Sequence, residues 1–226
     1  IDMTGRFTGP VVGQLQLVFL EDWLFTTGEN LDNDEVLPVL KPVGDVVAQA
    51  VPSGPDEDTT IFLRVLLAGI NAAQKKIIIT TPYLILDEPT LIAMSMAVSR
   101  GVEVNVVVPT KSDHRLVMLA GHAFYDELME AGIQIYQYRR GLLHAKTMTV
   151  DDSFALLGSS NFDLRSFYLN FELSVMMYGP DITARLRFAQ MTYINDSDKL
   201  SLSEWRQRPA LDHYLSSAAS LFSPLL

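Results

Sequence analysis

Between residues 46 and 138 short apolar runs alternate with longer amphipathic ones, and this alternation narrows the possible folds more than any other feature. Lys76–Thr81 carries Ile77-Ile78-Ile79, Val102–Val108 is almost continuously apolar and ends at Pro109, and Ile133–Tyr138 is a third short run, with Gln134 and Gln137 among its apolar residues. Each reads as a strand, and the first two, apolar on both faces, as strands covered from both sides. Thr60–Gln74, Glu88–Arg100 and Leu116–Ala131 precede them in turn and read as helices. Gly101 and Gly132 fit the C′ positions of the second and third. Val46–Val51 reads as a further strand, closed by the turn Pro52-Ser53-Gly54-Pro55. Past residue 140 the rhythm changes. Leu143–Val150, Phe154–Leu157 and Asn170–Met177 read as strands with short connections, which suit antiparallel neighbours. Residues 181–195 and 209–222 read as closing helices. The predicted fold class is α/β, a mixed β-sheet flanked by helices on both faces. Upstream, Val11–Phe25 has helical apolar spacing with Gly28 as its stop, and residues 29–44, rich in Asp, Asn, Pro and Gly, read as a loop or linker.

Composition excludes several classes. With 48% hydrophobic residues among 226, the chain is not disordered and can bury a sizeable core. The 17 Lys and Arg against 27 Asp and Glu leave a net charge of −10. That argues against a nucleic-acid partner, which needs a basic footprint, and against simple electrostatic capture by an anionic membrane. Cysteine is absent, which excludes disulfides, thiolate metal sites and cysteine nucleophiles. No apolar run approaches the roughly 18–20 residues of a membrane span, and no basic-then-apolar leader opens the chain. It begins Ile1-Asp2-Met3, which suggests a fragment.

The chemistry concentrates after residue 142. In an extended strand His144 and Lys146 share a face while Asp151 has the opposite parity. An imidazole and an ammonium side by side in an otherwise core-like strand are costly to bury. Phe154–Leu157 leads into Gly158-Ser159-Ser160-Asn161, a turn offering N–H groups, hydroxyls and an amide to an anion such as phosphate. Asn170, Glu172 and Ser174 then share a strand face, and the Glu172 carboxylate is expected to reach the His144 ring and fix its tautomer. Asp151, pointing away, is expected to tie the strand end to its surroundings. No carboxylates or histidines cluster with metal-ligand spacing, so the expected chemistry uses neither metal nor cofactor, and Lys146 and Asn161 neutralise phosphoryl oxygens.

His144-x-Lys146-x-x-x-x-Asp151 followed by Gly158-Ser159-Ser160-Asn161 resembles the signature of the phospholipase D superfamily. The flanks, Thr81–Glu88, Ser112–Val117, Ala131–Tyr136, Gly141–Thr147 and Leu221–Leu226, are similar to its bacterial cardiolipin synthase branch. Gly9-Pro10-Val11-Val12 and Leu15-Gln16 through Asp22-Trp23 resemble the segment that follows the first signature in those enzymes. The resemblance implies a phospholipase D-like fold in two parts: residues 1–44 as the tail of a first half, and residues 45–226 as the second catalytic domain. It implies a phosphatidyltransferase making cardiolipin from phosphatidylglycerol through a phosphohistidine. His144 is then the acid/base, with Lys146, Ser159 and Asn161 on the phosphate, Glu172 holding a histidine, and Asp151 and Gly158 structural. Tyr83 and His114 are candidate lipid contacts. The branch carries two signatures and this sequence one, so a missing first half or a second copy would complete the site. In the full-length protein the resemblance implies a bacterial cell membrane location. The competing readings are a phospholipase D-type phosphodiesterase acting on phospholipid or nucleic acid, and an inactive half that only pairs or docks.

Overall fold

The computed structural model describes residues 1–31, 36–37, 39–55 and 60–223. Part of the 29–44 linker and the Pro224–Leu226 end of the family resemblance lie outside these residues.

The helix α1 (Val11–Thr27) ends at Gly28, whose left-handed backbone donates its N–H to the Leu24 carbonyl. Then follow β1 (Val47–Ser53), α2 (Ile61–Ala72), β2 (Lys76–Thr80), α3 (Glu88–Ser99), β3 (Glu103–Pro109), α4 (Arg115–His122), α5 (Tyr125–Glu130) and β4 (Gln134–Tyr138). The second half adds β5 (Thr147–Val150), β6 (Phe154–Gly158), α6 (Leu164–Tyr168), β7 (Glu172–Tyr178), α7 (Pro180–Asn195), β8 (Ser197–Lys199), α8 (Leu202–Arg206) and α9 (Ala210–Ser220). The strands form one sheet in the order β1-β7-β6-β5-β2-β3-β4-β8. β2, β3 and β4 are mutually parallel, and every other pairing is antiparallel, so the sheet is mixed.

The apolar runs are buried as their strand periodicity requires. Ile77 and Ile79 face a core shared with Phe62, Leu66 and Ile70 of α2 and Met94 of α3. Ile78, with Val107 and Tyr138, faces the opposite side, where Met191 and Ile194 of α7 pack. Helices therefore cover both faces. Gln190 of α7, fully buried, receives the Thr149 hydroxyl at 2.6 Å and donates to the Ile78 carbonyl at 3.1 Å and the Thr147 hydroxyl at 3.0 Å. This pins α7 across β2 and β5.

Three features differ from the sequence reading. The helix expected over 116–131 breaks between α4 and α5, where Ala123 and Phe124 donate to Ala120 and Gly121 in the tighter i→i+3 pattern. Gly121 lies against the Leu84 carbonyl, where a Cβ would sit at 2.9 Å, and this close approach fixes the end of α4. The strand expected from Leu143 joins the ladder only at Thr147, because β2 ends at Thr80 before Thr81-Pro82 and β6 turns away at Gly158. The elements α6, β8 and α8 had no apolar periodicity to announce them.

The register gathers the ends of several strands at one edge of the sheet. Thr147 pairs with Thr80 and Leu157, and Gly158 with Ser174. Residues 143–146, the loops after β2, β3 and β6, and the start of β7 therefore share that edge. Asp151 lies at the far end, in the tight β5–β6 turn, with a left-handed φ of 46° that aspartate tolerates better than most residues. Its carboxylate accepts the backbone N–H groups of Gln74 (2.7 Å), Lys75 (2.8 Å) and Lys76 (2.7 Å), anchoring the turn to the start of β2. Burial works against its charge, but the three N–H donors and the Lys75 ammonium outweigh that and hold the carboxyl below its ordinary value of 3.8.

Asp151→Asn is expected to lower the unfolding free energy by about 1.5–3 kcal/mol at neutral pH, the worth of hydrogen bonds to a charged group. The folded pKa lies below the unfolded one, so this stabilisation is complete above the unfolded value and fades as pH falls through the folded value. Urea denaturation should show the gap between wild type and variant closing in acid. Equal midpoints at neutral pH would remove the anchoring role.

Candidate active site

Lys146 is a buried cation at the assembled edge, 7% exposed. Its Nζ donates to the His144 carbonyl at 2.6 Å and lies 2.9 Å from Nδ1 and 3.1 Å from Nε2 of the same histidine. The i, i+2 spacing on extended backbone brings the two side chains together. Burial pushes the Lys146 ammonium below its ordinary pKa, while Asp2, Glu172, Asp113 and Asp163 act in the opposite direction. Their field limits how far the lysine departs from its charged form.

The carboxylate beside His144 is that of Asp2, not Glu172. Asp2 Oδ2 lies 3.3 Å from His144 Nδ1. Residue 1 is held there by backbone pairing, His144 donating its N–H to the Ile1 carbonyl at 2.7 Å. A proton on Nδ1 satisfies Asp2 as acceptor and leaves Nε2 as the acceptor that faces the Lys146 ammonium. Burial raises the Asp2 carboxyl, but the Met3 N–H, the His144 hydrogen bond and the Lys146 charge together leave it below the ordinary value. Glu172 instead accepts from Ser166 Oγ at 3.1 Å and Asn170 Nδ2 at 3.2 Å. The expectation of a Glu172–His144 contact fails on strand order: β6 stands between β7 and β5, so their backbones are roughly 10 Å apart.

The Gly158–Asn161 turn lies directly beside Lys146, whose carbonyl accepts the Gly158 N–H at 3.2 Å. Gly158 has no room for a side chain: a Cβ would meet the Ser174 hydroxyl and lie 2.6 Å from Ser174 Cα and 2.7 Å from the Leu173 carbonyl. The Ser159 hydroxyl accepts the Leu173 N–H at 2.9 Å, so it secures the loop to β7 and is not wholly free for a phosphate. Asn161 is half-buried, and its side-chain Oδ1 is buried without a hydrogen-bond partner. The Asn161 backbone N–H donates to Ser166 Oγ at 3.1 Å. Ser166, which the sequence reading passed over, thus connects Asn161 to Glu172. The Asp163 carboxylate caps α6 by accepting the Ser166 N–H at 2.8 Å, and an aspartate three residues before that serine was the available signal. Burial, first among its influences, raises the Asp163 carboxyl.

A cavity of about 530 Å³ opens beside His144, Lys146, Gly158 and Ser159. Its apolar wall is Met3, Phe7, Leu15, Leu157, Leu173 and Val175. On the other side of β5, the loop after β2 is stitched to the Asn161 turn. Phe162 donates to the Thr81 hydroxyl at 3.1 Å and Ile85 to the Phe162 carbonyl at 2.9 Å. This brings Tyr83 to the site, its hydroxyl donating to Asp113 Oδ1 at 2.6 Å. His114 is exposed, its ring centroid 6.1 Å from that of Tyr83. Arg139 and Arg140 are drawn away from the site toward Asp198 and Asp196. Among the described residues no three His, Asp or Glu gather as a metal-binding group.

The family model "Cardiolipin synthase, PLD-like domain" matches residues 66–191, more than half of the chain. Cardiolipin synthase A of Wigglesworthia glossinidia brevipalpis is 37% identical over 230 residues, covering 100% of this chain and 46% of its own length. The cardiolipin synthase of Alkalihalophilus pseudofirmus is 36% identical over 220 residues, covering 96% and 44%. The chain thus spans about half the length of these curated relatives. Phosphatidylserine synthase from Haemophilus influenzae Rd KW20 shares the fold, with a TM-score of 0.62 at 17% identity over 82% of this chain and 49% of that one. With its single His-x-Lys signature and its mixed sheet, the chain belongs to the cardiolipin synthase family of phospholipase D-like domains.

Proposed function

We infer that this chain is the second half of a phosphatidyltransferase that makes cardiolipin from phosphatidylglycerol. The observation that carries the reading is the Lys146 ammonium lying across both ring nitrogens of His144 beside the Gly158–Asn161 turn. A phosphodiester between them meets a cation for its non-bridging oxygens and an imidazole for its leaving alcohol. Residues 1–44 are the tail of the first half, and residues 45–226 form the second catalytic domain.

The charge balance supports a half-site. One buried ammonium faces the fields of four carboxylates, Asp2, Glu172, Asp113 and Asp163. A phosphodiester anion is poorly served by that surplus of negative charge, so further cations have to come from the missing half or from a second copy. The nucleophilic histidine comes from the same source. It attacks phosphorus and the P–O bond to the departing glycerol breaks, while protonated His144 gives that oxygen its proton. In the second step neutral His144 takes the proton from the hydroxyl of another phosphatidylglycerol, whose oxygen displaces the enzyme's histidine. Asp2 supports the imidazolium that enters the first step and is restored by the second. Lys146 and the Asn161 amide hold the phosphoryl oxygens, and the apolar cavity wall receives the lipid. Among the described residues no helix is long and apolar enough to cross a membrane. Attachment to the bacterial membrane belongs to the full-length protein.

In the complete enzyme, His144→Ala is expected to reduce cardiolipin formation from phosphatidylglycerol vesicles by roughly 10²–10⁴-fold, the usual worth of positioned proton transfer. Asp2→Asn should cost roughly tenfold through the lost charge-assisted hydrogen bond. Mass spectrometry of the lipid products reads both, and an unchanged rate in a folded His144→Ala enzyme would end the assignment. Because Lys146 supplies the local cation, transfer is also expected to persist in excess chelator. Loss of activity restored by one metal alone would overturn the charge argument.

A further inference from the structure

The site has two dissimilar flanks, and the proposed chemistry uses only one. In sheet order, β6 and β7 lie on one side of β5 and carry the apolar wall of Leu157, Leu173 and Val175. β2 and β3 lie on the other side, and the loops after them carry polar groups: Tyr83, Ser112, Asp113 and His114.

Asp113 is held with unusual care for an exposed residue. Its Oδ1 accepts the Tyr83 hydroxyl at 2.6 Å, the His114 N–H at 3.1 Å and the Ser112 hydroxyl at 3.3 Å. Its side chain nevertheless keeps 45% of its surface exposed. Oδ2 has its nearest ionic neighbour in His114 Nε2 at 3.9 Å, beyond hydrogen-bond length. One oxygen is thus fixed by the fold, and the other points free beside an exposed imidazole. The loop after β2 is hydrogen-bonded to the residue that follows Asn161, and Tyr83 in that loop holds Asp113, so the group lies at the same end of the sheet as the Gly158–Asn161 turn.

We propose that Asp113 Oδ2 and His114 form a receptor for the vicinal hydroxyls of a glycerol headgroup, with Tyr83 positioning the carboxylate. The inference rests on the phosphatidyltransfer reading and deepens it by naming what selects the alcohol. A carboxylate oxygen accepts one hydroxyl, and an imidazole nitrogen 3.9 Å away engages the adjacent one. A monohydroxy alcohol can satisfy only one of the two, and a carboxylate-bearing headgroup is repelled by Asp113. The apolar flank receives the lipid side of the phosphodiester, and the Tyr83–Asp113–His114 flank its polyol side. A site built to hydrogen-bond a hydroxyl discriminates against analogues lacking it, because its own polar groups are left unpaired.

The test is a competition in the complete enzyme, with phosphatidylglycerol in detergent micelles as donor and equal concentrations of deuterated glycerol and 1-propanol as acceptors. Mass spectrometry gives the ratio of the two phosphatidyl products, which does not depend on how much of a variant folds. Wild type should favour glycerol. Asp113→Asn should lower the glycerol-to-propanol ratio roughly tenfold, and Tyr83→Phe by a smaller factor, since it only loosens the carboxylate. A ratio unmoved in both variants overturns the proposal. So does an ethanolamine arm in which Asp113→Asn changes ethanolamine against propanol but leaves glycerol against propanol alone, which would make the group an amine receptor. If wild type transfers phosphatidyl groups to no alcohol at all, the phosphatidyltransfer reading fails and takes this one with it. Transfer with unaltered selectivity sinks the receptor alone.

Discussion

An ammonium taken out of water costs several kcal/mol unless acceptors and counter-charges meet it. Lys146, at 7% exposure, imposes that demand on everything around it. Its first acceptor is local, the carbonyl of His144 two residues earlier. Its counter-charges are not. Asp2 comes from the start of the chain, Asp113 from the loop after β3, Asp163 from the cap of α6 and Glu172 from β7. The site is where these four segments converge, and the topology of the sheet exists in a form that lets them do so.

That topology explains why a mixed sheet serves the site better than a purely parallel one. The parallel run β2-β3-β4 delivers the loops after β2 and β3 to one edge, as parallel strands must. β5 runs antiparallel to β2, so its beginning, not its end, reaches the same edge. The signature residues therefore sit immediately before a strand, and the tight β5–β6 turn is sent to the far end, where Asp151 secures it. β6 then returns and delivers the Gly158–Asn161 turn beside Lys146. Gly158 allows that turn to lie on the β7 backbone, with no space for a methyl group between them.

Much of this was legible in the sequence, and the boundary is physical. Ile77-Ile78-Ile79 and Val102–Val108 read as strands covered on both faces because they are short, rich in β-branched residues and bounded by turn residues. His144, Lys146 and Asp151 lie within eight residues, so local geometry could separate the aspartate from the His144–Lys146 pair. Glu172 was different. Parity gives the face a side chain occupies but not which strand lies next to which, and the insertion of β6 between β5 and β7 decided its partners. Asp2 carried no local pattern whatever, since its meaning lies in a histidine 142 positions away. Ser166 was hidden for a related reason: it works only through what Asn161 and Glu172 bring to it. The polar elements β8 and α8 lack the periodicity on which such reading depends.

The pairing of residues 1 and 2 with His144 also bears on the order in which the molecule comes together. β5, β6 and β7 are neighbours in sequence and can associate through short loops, whereas the Asp2–His144 contact spans 142 positions. Closing so long a loop adds little to the thermodynamic cost, since each doubling of length costs only about 0.6 kcal/mol, but such contacts form slowly. The sheet and its far-end anchor can therefore assemble first, with the histidine still lacking its carboxylate. In a growing polypeptide the segment that carries Asp2 is made before His144 and stays without that partner until the later strands follow. The Asp2–His144 contact is therefore among the late ones to form, and the imidazole meets its carboxylate only when the segment before α1 packs against the assembled sheet.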